Sequence, residues 1–260
     1  MENKPSLSIV KIGGNVIDNE QLLSEFLTDF SELEGHKILV HGGGKKASEI
    51  AEKLGLKPSF SNGRRITDKA MLDVAVMTYS GLLNKQIVAK LQQLGTNSMG
   101  FSGADGNLIQ SEKRKNMEID FGYVGDVIHV NNKLISALLL QNCLPVFSAI
   151  THDGKGQLLN TNADTIAAEI AISLSKEYDV ELIYCFEKKG VLLDPEEENS
   201  VIEVLDFEKY EILKNDQTIH SGMLPKLENC FKSLNNGVHT IVIGNQKALK
   251  NKATATQIKL

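Results

Sequence analysis

The feature that most restricts this chain is a short apolar run closed by glycines and followed by helical spacing, and it occurs twice. Leu7 to Ile12 (LSIVKI) ends at Gly13-Gly14, and Ile38 to His41 (ILVH) ends at Gly42-Gly43-Gly44. Such runs fit buried strands, and glycines let the backbone turn sharply where a strand ends. After the first, Leu22, Leu23, Phe26, Leu27 and Phe30 recur at helical spacing and predict a helix with one apolar face. A longer helical pattern runs from about Asp68 to Leu94, aligning Met71, Val74, Ala75, Leu83, Ile87 and Leu91, with Asp68 or Thr67 as N-cap. Strand-like runs follow at 97–102, 144–149, 180–186 and 239–243, with helices fitting at 131–141, 162–174 and 222–236.

Strand and helix thus alternate through 260 residues. That pattern predicts an α/β fold, a mostly parallel sheet covered on both faces with ligands at the carboxyl ends of its strands. The stretches 58–67 and 107–130 interrupt it with alternating, Gly-containing segments expected to form hairpins or a lid. No Pro- or Ser-rich linker divides the chain. The expected boundary lies near residue 175, giving an N-terminal lobe (1–175) and a smaller C-terminal lobe (176–260).

A formal charge of −5 leaves no global attraction for nucleic acid or anionic lipid, so any anion site has to be built locally. Cys143, Cys185 and Cys230 lie far apart and form neither a disulfide framework nor a zinc pattern; they read as buried thiols of a reducing compartment. The start MENKPSLSIV lacks a signal peptide's apolar region, and no apolar run approaches membrane-spanning length. A cytoplasmic protein without membrane or nucleic-acid partners is expected. The six histidines show no i, i+4 pairing with a nearby acid, and no metal ligands are expected from the protein.

Within HGGG, the three glycines permit backbone N–H groups to approach an anion at a helix N-terminus. A dinucleotide fingerprint on Gly42, Gly44 and Ala47 lacks its acidic ribose ligand, since the region ~20 residues on reads NGRRIT. An esterase oxyanion hole lacks its G-x-S-x-G elbow, and no G-x-x-x-x-G-K-[ST] loop exists anywhere in the chain. A phosphate cradle of another class and a merely tight turn remain open. Lys11, Lys226, Asp164 and the Arg64-Arg65 pair each have an ordinary reading when taken singly: a strand-end charge, a helical lysine, a first-turn acid and a solvated hairpin tip.

In order, K-x-G-G at Lys11 to Gly14, HGGG at 41–44, NG-x-R-x-T at 62–67, SG-x-DGN at 102–107, VGD-x-x-x-VN at 124–131, N-x-NAD at 160–164 and GM-x-x-K at 222–226 make the chain resemble the amino acid kinase family. The resemblance extends from residue 7 almost to the C-terminus, and NGRRIT with VGDVIHVN points to the branch acting on N-acylated glutamates. It implies an open αβα sandwich with the acylglutamate in the N-terminal lobe and ATP in the C-terminal lobe. It also implies transfer of the γ-phosphoryl of ATP to the γ-carboxylate of N-acetyl-L-glutamate, the second step of arginine biosynthesis.

By the same resemblance Lys11 and Lys226 neutralise charge on the transferring phosphoryl and on the leaving ADP, and Asp164 holds both. Gly14, Gly43 and Gly44 present N–H groups to the phosphoryl, and Arg65 and Asn160 bind the α-carboxylate. Gly13, Gly14, Phe186, Lys188, Gly190, Ser221, Gly222 and Met223 border the nucleotide, with Mg²⁺ held mainly by the phosphates. The chain departs from the family pattern at Lys45-Lys46, Arg64, Ala104 and Phe186 to Lys189. Because Lys45, Lys46 and Arg64 add positive charge, N-succinyl-L-glutamate is the alternative substrate, and a catalytically silent metabolite-binding member is the alternative class. Relatives inhibited by arginine carry an extra N-terminal helix, whereas about six residues precede Leu7 here, so an arginine-insensitive homodimer is expected.

Overall fold

The strand Ser6–Ile12 lies at the centre of an eight-stranded sheet, paired in parallel with His36–His41 on one side and Asp179–Cys185 on the other. Across the sheet the order is Val204–Leu205, Thr256–Ile258, Thr240–Gly244, Asp179–Cys185, Ser6–Ile12, His36–His41, Leu144–Ser148 and Ser98–Phe101. All neighbours are parallel except Thr240–Gly244 with Thr256–Ile258. The computed structural model describes residues 4–61, 64–115, 118–194, 196–216, 218–219 and 223–260.

Successive residues of a strand point to opposite faces, and here both faces are buried. Leu7, Ile9, Ile38 and Val40 enter one apolar core, while Val10, Ile12, Leu39 and Val146 enter the other. The helices Ala163–Leu174 and Leu224–Asn235 cover the first face and pack on each other. The helix Glu20–Ser31 covers the second, inserting Leu23, Phe26, Leu27 and Phe30, and burying each such side chain stabilises the fold by ~1.5–3 kcal/mol. The expected αβα sandwich is therefore the observed one. Leu22, assigned to the buried face of that helix by spacing, is 38% exposed instead.

The segment expected as one helix from 68 to 94 differs in its middle. Asp68 caps it, accepting from the Met71 N–H at 2.8 Å, and α-helix runs over Lys69–Val76 and Asn84–Gln93. Between them, Met77–Leu83 is a π-helical stretch, in which the Asn84 N–H donates to the Tyr79 carbonyl five residues back. The two interrupting stretches do form hairpins: Ser59–Ser61 with Arg64–Ile66, and Ile109–Lys113 with Gly125–Val130. The latter joins Ile150–His152 and Leu158–Asn160 in a four-stranded sheet; a bridge at Thr67–Gly122 ties the two hairpins together, and one at Val124–Asn160 ties the second to Leu158–Asn160. Cys143, Cys185 and Cys230 are buried free thiols. Among the described residues no helix is long and apolar enough to cross a membrane.

Candidate active site

Parallel strands aim their carboxyl ends the same way, so the two glycine turns after Ile12 and His41 come to lie side by side. At the first, the Gly13 N–H is committed to the Cys185 carbonyl at 2.9 Å, which ties the turn to the neighbouring strand. Gly14 then opens a short helix without a side-chain cap. At the second, Gly43 has φ 148°, and a methyl there would run into Leu83 and Tyr79. Gly44 starts the helix Gly44–Lys53, again with no side-chain cap, so its first amides remain available to an anion.

Lys11 shares the face of Leu7 and Ile9, which places its ammonium under the N-terminus of Ala163–Leu174. Asn162 caps that helix by accepting from the Thr165 N–H at 3.0 Å, and Asp164 occupies its first turn. Lys226 sits in the first turn of Leu224–Asn235. The three meet: Lys11 Nζ lies 2.8 Å from Asp164 Oδ1, and Lys226 Nζ donates to Asp164 Oδ2 at 2.7 Å. Their side chains are only 12–17% exposed. Tyr184 floors the cluster, its ring 4.7 Å from Lys226 Nζ and its hydroxyl donating to the Asp164 carbonyl.

Burial alone would raise the Asp164 carboxyl, but the Lys11 and Lys226 charges overcome it and hold the group well below the ordinary carboxylate range. Burial depresses the Lys11 ammonium; Asp164 opposes this, and Lys226 adds to it. The result is one carboxylate between two cations, a net positive charge at the mouth of two glycine turns.

Arg65 reaches the same region from its hairpin. Its Nη2 donates to the Gly44 carbonyl and to Ser48 Oγ, each at 2.7 Å, and its guanidinium stands 4.7 Å from the Phe60 ring centre. Nη2 has two hydrogens and both are used, whereas Nη1 is buried with no partner. Asn160 is tied to the residue after that strand, its Nδ2 donating to Thr67 Oγ1 at 3.0 Å.

Of the residues expected to border the nucleotide, Phe186 is half-buried, with its N–H donating to the Gly244 carbonyl, and Lys188 is likewise partly exposed. Gly190 is buried where a methyl would press on Thr256 and Val201. Met223 precedes the Lys226 helix, and Ser221 and Gly222 lie outside the described residues. Lys46 is paired with Glu49 at 3.1 Å, while Lys45 and Arg64 are exposed, so none of the three is a buried cation in want of an anion.

Sequence reasoning missed the support under HGGG. His41 is fully buried; its Nδ1 bonds to the Gly42 carbonyl at 2.8 Å, and its Nε2 meets Asn84 Nδ2 at 3.1 Å. An amide nitrogen only donates, so Nε2 accepts and Nδ1 carries the proton. Pinning the Gly42 carbonyl turns the Gly43 N–H of the same peptide the opposite way, out of the His41 side. Burial pushes the His41 pKa down to about 4. Its unfolded value is ~6.5, so the unfolded chain binds the extra proton between those values and stability falls as pH drops through that window, by up to about 3 kcal/mol. Urea denaturation at pH 7.5 and pH 5 should show about 2 kcal/mol of that loss, and His41→Gln should flatten the slope.

The amino acid kinase family model matches residues 6–245. The chain is 48% identical over 256 residues to an acetylglutamate kinase of Phocaeicola vulgatus, covering 98% of this chain and 99% of that one. It is also 48% identical to an acetylglutamate kinase of Cytophaga hutchinsonii, covering 97% and 98%. A solved Streptococcus mutans structure superposes with TM-score 0.80 at 27% identity, covering 97% of this chain and 98% of that one.

Proposed function

The chain belongs to the amino acid kinase family, and on that premise we propose that it phosphorylates the γ-carboxylate of N-acetyl-L-glutamate with ATP, the second step of arginine biosynthesis. The observation that carries this reading is the Lys11–Asp164–Lys226 cluster beside two uncapped glycine turns. A γ-carboxylate has a pKa near 4.3, so the nucleophile is already ionised at neutral pH and no general base is required. The difficulty is electrostatic, because a tetra-anionic nucleotide must approach a dianionic acceptor. Positioning and charge neutralisation supply most of the catalysis of phosphoryl transfer.

A carboxylate oxygen attacks the γ-phosphorus as the bond to the β–γ bridging oxygen breaks, giving the acyl phosphate and ADP with no proton moved. Lys11 faces the transferring group and Lys226 the leaving phosphates, with Asp164 fixing both ammonium groups. Gly14, Gly43 and Gly44 offer N–H groups, and Arg65 and Asn160 receive the α-carboxylate. Mg²⁺, when bound with ATP, neutralises phosphate charge. Among the described residues no three His, Cys, Asp or Glu side chains converge on a metal site, and both Asp164 oxygens face lysines, so the ion fits only as one carried by the phosphates. The lobes divide the work, 1–175 for the acylglutamate and dimerisation and 176–260 for ATP.

The neutral acetyl group suits a site whose additional cations are paired or solvated. ADP release coupled to a reporter reaction, with N-acetyl-L-glutamate as acceptor, tests the reading; no acceptor-dependent ADP would refute it. Arg65→Ala should raise KM for the acylglutamate by about 10- to 100-fold, since a charged hydrogen bond contributes ~1.5–3 kcal/mol, and leave KM for ATP within a factor of ~2. An equal loss of ATP affinity would remove Arg65 from the acceptor site.

Met77, Leu82 and Leu94 on the long helical segment are 56%, 40% and 41% exposed, and Met99 on the terminal strand Ser98–Phe101 is 48% exposed. Exposed apolar side chains on a helical segment and on the terminal strand of a sheet suit a second copy of this chain. A cytoplasmic homodimer follows from this reading, and light scattering should give twice the 28.5 kDa chain mass; a monomer at micromolar concentration would contradict it.

A further inference from the structure

The π-helical stretch Met77–Leu83 interrupts a segment whose sequence otherwise reads as continuous helix, and it carries Tyr79. Wide turns of this kind cost regularity and tend to be kept where they aim a side chain. Here the Tyr79 ring packs against the HGGG turn: Cδ1 and Cε1 lie 3.0 and 3.2 Å from where a Gly43 methyl would stand. Its hydroxyl lies 3.9 Å from the corresponding point on Gly44, and Arg65 Nη2 lies 3.7 Å from that same point. The phenol is 4% exposed. Burial raises its pKa and the Arg65 charge pulls it back, so the hydroxyl stays protonated at neutral pH and is a donor.

Beside Gly44 the Tyr79 hydroxyl therefore stands against the Arg65 guanidinium, from which it accepts while keeping its own hydrogen, and Arg65 Nη1 is buried with no partner. A carboxylate has about four lone-pair sites and takes a guanidinium edge and a hydroxyl at once. We propose that Tyr79 is a further substrate-binding residue, whose hydroxyl acts with Arg65 Nη1 on the α-carboxylate of the acylglutamate, and that the π-helical turn serves to deliver it there. The proposal rests on the acylglutamate reading above and deepens it by assigning a second ligand to the non-reacting carboxylate.

Tyr79→Phe keeps the ring against Gly43 and deletes only the donor. KM for N-acetyl-L-glutamate should rise about 5- to 20-fold, with kcat and KM for ATP within a factor of ~2. The decisive comparison uses 4-acetamidobutyrate, which has the reacting carboxylate and the acetyl group but no α-carboxylate. Its affinity, read by calorimetry, should be the same for wild type and Tyr79→Phe. In an Arg65→Lys background Tyr79→Phe should cost less than it does alone, because both groups bind one carboxylate.

A wild-type KM in Tyr79→Phe, or an equal loss for 4-acetamidobutyrate, would overturn the proposal, the latter by showing that the hydroxyl serves packing or the reacting end. Should Tyr79→Phe not fold, Tyr79→Trp and Tyr79→Leu are put through the same comparison of the two ligands. Failure of the acylglutamate reading is distinguishable, because it appears in wild type as no binding and no turnover of N-acetyl-L-glutamate before any variant is made.

Discussion

Lys11→Ala and Lys226→Ala should each lower kcat by on the order of 10²-fold or more while the protein remains folded. In the proposed reaction negative charge moves from the attacking carboxylate to the leaving bridge oxygen of ADP, and two ammonium groups flanking that path contribute more in the transition state than in the ground state. Each is also half of a bridged pair with Asp164, at 2.8 and 2.7 Å. Removing one leaves the carboxylate its other partner, so the fold does not acquire an unpaired buried charge. The loss should fall on kcat and on kcat/KM for both substrates alike. Because the two lysines serve one transferring group, Lys11→Ala with Lys226→Ala should cost less than the product of the single losses. Steady-state kinetics with a coupled ADP assay reads all three, and wild-type turnover in either single variant would remove that lysine from the chemistry.

The glycine turns were legible because their signal is local: an apolar run, then glycines, then helical spacing, at Ile12 to Gly14 and again at His41 to Gly44. The cation cluster was not legible from spacing. Lys11, Asp164 and Lys226 are far apart in the chain and each has an ordinary solvent-exposed reading. What joins them is topology, since Asp179–Cys185 inserts beside Ser6–Ile12 and the helices starting at Ala163 and Leu224 then share one face of that pair. The ordered motifs supplied that knowledge through family resemblance.

Tyr79 escaped for a different reason. The aligned apolar series from Met71 to Leu91 skips from Ala75 to Leu83, and the gap holds Ser80-Gly81, a weak point in a helix. Tyr79 itself stands four residues from both Ala75 and Leu83, so helical spacing puts it on the apolar face, where an aromatic side chain gives no sign of a binding role. The observed π-helical stretch over Met77–Leu83 realigns the two halves and turns the phenol toward Gly43. Arg64 and Arg65 show the opposite case, where alternation alone sufficed. Paired with Ser61 and Phe60 across the hairpin, the first faces solvent and the second is half-buried beside Gly44.

Asp164→Asn should be as damaging as loss of a lysine, lowering kcat by on the order of 10²-fold, but for a separable reason. An asparagine retains shape and one acceptor oxygen, yet it removes the charge that holds Lys11 and Lys226 together in a space where each is only 12–15% exposed. The Lys11 ammonium is already depressed by burial and sustained mainly by Asp164, so without that carboxylate its pKa falls further. Activity that needs a protonated Lys11 should therefore lose its alkaline limb at lower pH in the variant than in wild type. Stability should respond at the other end of the scale. The folded-state pKa of Asp164 is held below its unfolded value of ~3.9, so its stabilising contribution is complete above that value and is lost as pH falls toward the depressed one. Wild type should accordingly lose stability faster than Asp164→Asn on acidification below about pH 4, even though it is the more stable of the two at pH 7. Paired kcat–pH profiles and denaturation curves read both ends. An unmoved alkaline limb together with parallel acid unfolding would show that Asp164 does not set the charge state of the two lysines.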